Sequence, residues 1–121
     1  MKTAKKTILV VDDDQGIIET MRDILQYAGH EVDVANNAMD AIKLYGSKCY
    51  DLVLMDVRMP GMNGIESCKT MKITRNQPNI VFITAYVDND AVTEFDKEHC
   101  DFLLKPVNME RLTTIIDHCG I

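Results

Sequence analysis

Asp51-Leu-Val-Leu-Met-Asp56-Val-Arg-Met-Pro60-Gly-Met-Asn-Gly64-Ile-Glu66 runs from an apolar block through a carboxylate into a turn-rich loop. Leu52 to Met55 is short enough for a strand buried on both faces. Pro60, Gly61, Asn63 and Gly64 mark a loop, after which Ile65, Cys68 and Met71 recur at helical spacing. Asp56 therefore falls where a strand gives way to a loop before a helix. In open α/β sheets that rim is where ligands bind. The bland alternative is an Asp that caps a turn, and the neighbouring segments decide between the two.

Upstream, Ile8-Leu-Val-Val11 is followed by Asp12-Asp13-Asp14, a second buried strand with acids at its carboxyl end. Asp14 also suits the N-cap of a helix over Gln15–Tyr27. Ile17, Ile18, Met21, Ile24, Leu25 and Ala28 make the apolar stripe of that helix, and Gly29 is its stop. Glu31-Val32-Asp33-Val34-Ala35 alternates and predicts a half-exposed edge strand. Asn37 caps a second helix carrying Ala38, Ala41, Ile42 and Tyr45 inward, with Gly46 at its end. Downstream, Asn79 to Ala85 predicts a fourth strand, and Asp88 or Asp90 caps a fourth helix through Ala91, Val92 and Phe95. Phe102-Leu103-Leu104 predicts a fifth strand ending at Lys105-Pro106. Asn108 then caps a last helix with Leu112, Ile115, Ile116 and Cys119 as its stripe.

Five strand–helix alternations predict an α/β fold, (βα)5, with a doubly wound parallel five-stranded sheet and helices on both faces. Right-handed crossovers and the flavodoxin-like order 2-1-3-4-5 follow. That order sets the end of the first strand beside the end of the third, so Asp12 and Asp13 neighbour Asp56. Thr84 and Lys105 end the fourth and fifth strands on the same rim.

Composition agrees with one domain over residues 1–121. The chain is 46% hydrophobic and 26% charged, ordinary for a globular protein. A net charge of −6 argues against a broad nucleic-acid footprint. No apolar run approaches the roughly 20 residues of a membrane span, and the block after the basic N-terminus is too short for a signal peptide, so the expected location is cytoplasmic. Cys49, Cys68, Cys100 and Cys119 lie far apart with no CxxC pair, which favours isolated thiols over a disulfide frame or zinc site. His30, His99 and His118 are scattered and read as structural or surface residues. The methionines read as core filler.

Clustered carboxylates repel unless a cation sits among them. Oxygen-only ligands suit a hard metal, Mg²⁺ above all, which also takes phosphate oxygens. Lys105 can pair with phosphate as a point charge, and Thr84 can donate a hydrogen bond. A carboxylate beside a metal can accept a phosphoryl group as an acyl phosphate. Each residue alone has a plain explanation, but matching residues at four strand ends make joint coincidence improbable.

Val10-Val11-Asp12-Asp13-Asp14, Met55-Asp56-Val-Arg58-Met-Pro60-Gly-Met-Asn-Gly64, Ile83-Thr84-Ala85 and Leu104-Lys105-Pro106 together resemble the receiver domains of bacterial two-component response regulators, over roughly Lys6 to Cys119. The resemblance implies that Asp56 accepts phosphate from a sensor histidine kinase or phosphotransfer protein. It implies Mg²⁺ held by Asp12, Asp13, Asp56 and the backbone carbonyl of Arg58, with Thr84 and Lys105 on the phosphoryl oxygens. It also implies a cis Lys105–Pro106 bond and a switch through Thr84 and Phe102. The face formed by the fourth helix, fifth strand and fifth helix then controls an effector, an output domain or a phosphorylation-dependent homodimer. His99-Cys100, Tyr86, Arg58 and a spacing from Thr84 to Lys105 one residue shorter than in many relatives depart from the common pattern.

Two alternatives come from other classes. A haloacid dehalogenase-type phosphatase needs a second acid two residues after its nucleophile, where Arg58 stands, and usually a cap domain that 121 residues leave no room for. A non-phosphorylated receiver-like interaction module would not need the acids, Thr84 and Lys105 intact. The leading expectation is a signalling phosphoacceptor rather than an enzyme acting on other molecules.

Overall fold

β1 (Thr7–Val11), β2 (Glu31–Ala35), β3 (Leu52–Asp56), β4 (Ile80–Thr84) and β5 (Asp101–Leu104) form one sheet in the order β2-β1-β3-β4-β5, and every pairing is parallel. The computed structural model describes residues 5–56, 80–84, 101–104 and 108–118, with backbone alone for Thr84, Asp101, Phe102, Leu104, Met109 and His118. Within these bounds the expected strand order holds. The helices expected after Gly64 and after Asp90 lie outside the described residues.

Three helices are described: α1 (Gln15–Tyr27), α2 (Ala38–Ser47) and α3 (Met109–His118), the last being the fifth helix of the sequence reading. Side chains alternate across each strand. Ile8, Val10, Leu52, Leu54, Val81, Ile83 and Leu103 pack with Met21 and Leu25 of α1 and Leu112 and Ile116 of α3. On the opposite face Leu9, Val11, Val53, Met55, Ile80 and Phe82 pack with Ala38, Ala41 and Tyr45 of α2. Cover on both faces explains why the central strands are apolar without a break.

Three of the four expected caps fall within the described residues, and all three form. Asp14 Oδ1 accepts from Ile17 N at 3.2 Å, Asn37 Oδ1 from Asp40 N at 2.8 Å and Asn108 Oδ1 from Arg111 N at 3.1 Å. Each satisfies an amide that a helix start leaves without an intrahelical partner. Gly29 ends α1 in the left-handed region at φ 98°, where its missing Cβ removes the steric penalty.

Other expectations are corrected. α2 runs through Gly46 to Ser47, and the Lys48 N–H closes it on Leu44 O. Gly46 has no positive φ, so it is a tolerated helical residue and not a stop. Ile24 is 37% exposed and Ala28 is exposed too, because the buried side of α1 is the narrower strip of Ile18, Met21 and Leu25. Met39 is 57% exposed and fills no core, unlike Met21 and Met55.

The amino ends of the strands are tied together. Thr7 N donates to Asp51 Oδ2 and Asp51 N to Thr7 O, both at 2.8 Å. Glu31 N donates to Lys6 O at 2.9 Å, and Lys6 N to His30 Nδ1 at 3.1 Å. His30 is buried, in keeping with the structural role expected of it.

The outer strand β2 carries a charged network. Lys48 Nζ lies 2.7 Å from Glu31 Oε1 and 3.0 Å from Asp33 Oδ2, which also accepts from the Tyr50 hydroxyl at 2.8 Å. Burial pushes the Asp33 carboxyl up, but the bonds from Tyr50 and Lys48 and the charge of Lys48 outweigh it and hold it below the usual range. Burial and then the bond to Asp33 push the Tyr50 phenol up. Tyr50 stacks on Tyr45 with ring centroids 6.5 Å apart.

Candidate functional site

β1 and β3 lie side by side with Val11 opposite Met55. The next residues, Asp12 and Asp56, thus emerge together at the carboxyl edge. One ligand oxygen each from Asp12, Asp13 and Asp56 can be chosen so that all lie within 4.8 Å of one another. Asp12 is 3% and Asp56 8% exposed, while Asp13 is exposed.

The first acid is held from two sides. Asp12 N donates to Ala35 O of β2 at 3.2 Å, which fixes its backbone against the neighbouring strand. Asp12 Oδ1 accepts from Asp14 N at 2.9 Å. Asp14 in turn holds the start of α1 through its carboxylate, and Ile18 N donates to Asp14 O at 3.1 Å. Sequence reasoning assigned Asp14 only the cap. Its grip on Asp12 was visible only as an N-cap acid two residues after a metal-type acid.

Thr84 ends β4, the strand next to β3. Asp56 pairs with Ile83, and Thr84 with Leu104 of β5. The backbone of Thr84 therefore reaches the same edge as Asp56. Phe102 lies in β5 opposite Phe82. Arg58, Lys105, the Lys105–Pro106 bond, Tyr86 and His99-Cys100 lie outside the described residues, as do the side chains of Thr84 and Phe102.

Two buried carboxylates and a third at the surface form a donor set made only of oxygens. That set fits a hard divalent cation, which relieves the repulsion among three like charges. Asp12 accepts the Asp14 N–H on Oδ1, so its orientation is set in advance.

A doubly wound parallel sheet with acids gathered beside its switch point defines a flavodoxin-like α/β protein whose site lies at the strand ends. A family model described as the response regulator receiver domain matches residues 8–117. The chain belongs to this family of two-component signal transduction domains. That placement supersedes the phosphatase alternative.

The chain is 37% identical over 106 residues to the transcriptional regulatory protein ZraR of Klebsiella oxytoca, covering 87% of this chain and 24% of that protein. It is 35% identical over 109 residues to the response regulator MprA of Mycobacterium sp. strain KMS, covering 87% and 46% respectively. The chain thus spans less than half the length of these relatives. Among solved structures, the chemotaxis protein CheY4 of Vibrio cholerae superposes with a TM-score of 0.84 at 28% identity, covering 92% of this chain and 95% of that one. A CheY-like receiver domain protein of Methanospirillum hungatei gives 0.86 at 27% identity, covering 94% and 95%. No described helix is long and apolar enough to cross a membrane.

Proposed function

We propose that residues 1–121 form a single receiver unit in which Asp56 accepts a phosphoryl group from the phosphohistidine of a sensor histidine kinase or phosphotransfer protein. The observation that carries this reading is the buried Asp56 carboxylate at the end of central β3, grouped with Asp12 and Asp13 within 4.8 Å.

An Asp56 carboxylate oxygen attacks phosphorus and forms an acyl phosphate. The nitrogen–phosphorus bond breaks, and the imidazole nitrogen keeps the electron pair and takes a proton from solvent. Asp12, Asp13, Asp56 and the Arg58 carbonyl would hold Mg²⁺, which when bound supplies charge neutralisation for the phosphoryl oxygens. The Lys105 ammonium pairs with one phosphoryl oxygen, and the Thr84 hydroxyl donates to another. Thr84 is drawn toward Asp56 only when the phosphoryl group is present, and Phe102 on the adjoining strand moves with it. The surface of the fourth helix, β5 and α3 is thereby rebiased toward an output partner or a second copy. The unit assists its own phosphorylation and dephosphorylation, works in the cytoplasm and does not bind nucleic acid directly.

Incubation with acetyl phosphate and Mg²⁺ followed by intact-mass spectrometry tests the assignment. Wild type is expected to gain one phosphoryl adduct and Asp56→Asn none. An adduct retained in Asp56→Asn overturns the choice of residue. A wild-type chain that gains none supports an interaction module without phosphorylation.

A further inference from the structure

A second stripe runs along α1 beside the buried one. Ile17, Thr20, Ile24, Tyr27 and Ala28 recur at helical spacing, and none is charged. Its last turns stand bare: Ile24 is 37% and Tyr27 96% exposed, and Ala28 is exposed too. Ile24 and Tyr27 are two of the three large apolar side chains exposed among the described residues. Both border a cleft between α1 and α3 at the amino edge of the sheet, away from the acidic cluster. Leu112 and Ile116 close its floor and are buried, so the feature offers its rim to another surface and holds no room for a tail.

Opposite charges stand on that rim. Lys5 and Asp117 both line the cleft and both are exposed. Lys5 makes no ion pair among the described residues, so the two share one cleft without pairing with each other. An uncharged centre with an exposed aromatic ring and a charged rim suits contact with another protein. One cation and one anion on the same patch make it complementary to itself, as a twofold contact requires.

We propose that this face of α1 and α3 binds a second copy of the chain about a twofold axis. Tyr27 and Ile24 of the two copies meet at the centre, and Lys5 of each copy faces Asp117 of the other. Asp117 keeps its present interaction, since a carboxylate has several lone-pair sites. Two apolar side chains and two charge pairs make a small interface, so the dimer is transient and fills as concentration rises. The face shares no residue with the acidic cluster. The dimer therefore forms without phosphorylation and stands independently of the phosphoacceptor reading.

Sedimentation velocity on the 121-residue chain without a phosphodonor tests this, over a series reaching about 1 mM, where weak contacts populate. The weight-average sedimentation coefficient is expected to climb from monomer toward dimer. Tyr27→Ala, at a position too exposed to carry the fold, is expected to weaken association about tenfold. Lys5→Glu and Asp117→Lys each set like charges against each other at both rim contacts, and each alone is expected to weaken it too. An equimolar mixture of these two variants is expected to restore the dimer, because both contacts then join opposite charges. Should Asp117→Lys fail to fold, Tyr27→Ala and Lys5→Glu carry the test at exposed positions. A chain monomeric throughout, wild-type association in Tyr27→Ala or Lys5→Glu, a mixture no tighter than its components, or a dimer that needs acetyl phosphate overturns the proposal.

Discussion

The backbone N–H of Asp14 donates to Asp12 Oδ1 at 2.9 Å, while the Asp14 carboxylate holds Ile17 N at 3.2 Å. One residue thus fixes both the start of α1 and the orientation of the innermost acid. Asp14→Ala is expected to cost about 1 kcal/mol through the lost cap and to weaken Mg²⁺ binding as the turn carrying Asp12 loosens. Asp14→Asn keeps an accepting oxygen and is expected to retain both. The rise in melting temperature on adding Mg²⁺ separates the effects. An unchanged rise in Asp14→Ala reduces Asp14 to a plain cap.

Asp13 is the exposed member of the acidic cluster, so its removal opens no cavity. Relief of like-charge repulsion is expected to make Asp13→Ala more stable than wild type in metal-free buffer. Wild type is expected to gain on adding Mg²⁺, by about 2.7 kcal/mol at a hundred times its dissociation constant, and Asp13→Ala much less. Thermal melts across a Mg²⁺ series check both halves. A wild-type melt indifferent to millimolar Mg²⁺ removes the metal site.

His30 is held below its ordinary value of 6.5, chiefly by burial. A base depressed in the folded state binds fewer protons than the unfolded chain, so proton uptake favours unfolding. Its contribution to stability is intact above 6.5 and is lost as pH falls below that value and through the folded one. Between about pH 7.5 and 5.5, a span bracketing the free imidazole, the urea midpoint of wild type is expected to fall further than that of His30→Phe. Parallel falls in the two proteins defeat this prediction.

Asp33 accepts from both Lys48 and Tyr50, which keep its carboxyl depressed. Tyr50→Phe is expected to raise the Asp33 midpoint and to cost about 1 kcal/mol near neutral pH. The sign follows from the depression: this stabilisation is present above the ordinary value of 3.8 and is lost as pH falls through the folded one. Carbon-detected NMR titration of Asp33 reads the shift directly. An unmoved midpoint means that Lys48 alone holds the charge.

Much of the frame was legible because local signals agreed with the global fold. Uninterrupted apolar runs marked β1, β3 and β4, alternation marked β2 as the outer strand, and Asp14, Asn37 and Asn108 announced their helices. Asp12, Asp13 and Asp56 could be grouped because a switch-point order leaves the ends of β1 and β3 adjacent. Periodicity could not say that Ile24 would stay at a cleft rim, because that depends on where α3 sits across the sheet. Nor could it find Lys6 on His30 or Lys48 on Asp33. Those bonds join side chains and backbone 24 and 15 positions apart, and no local pattern encodes such partners. Gly46 misled because a glycine stops a helix only when the chain turns left-handed there.

The pairing of β1 with β3 has a kinetic consequence. Asp12 and Asp56 become neighbours only when two strands distant in the chain have docked with Ile8 against Leu52 and Val11 against Met55. Bringing such strands together pays loop-closure entropy before contacts repay it. No isolated hairpin or helix of this chain can hold the acids in place, so the cluster assembles together with the middle of the sheet. Capacity to hold a divalent ion is therefore a clock for folding. In stopped-flow refolding it is expected to appear with the docking of the central strands and not with the formation of α1 alone.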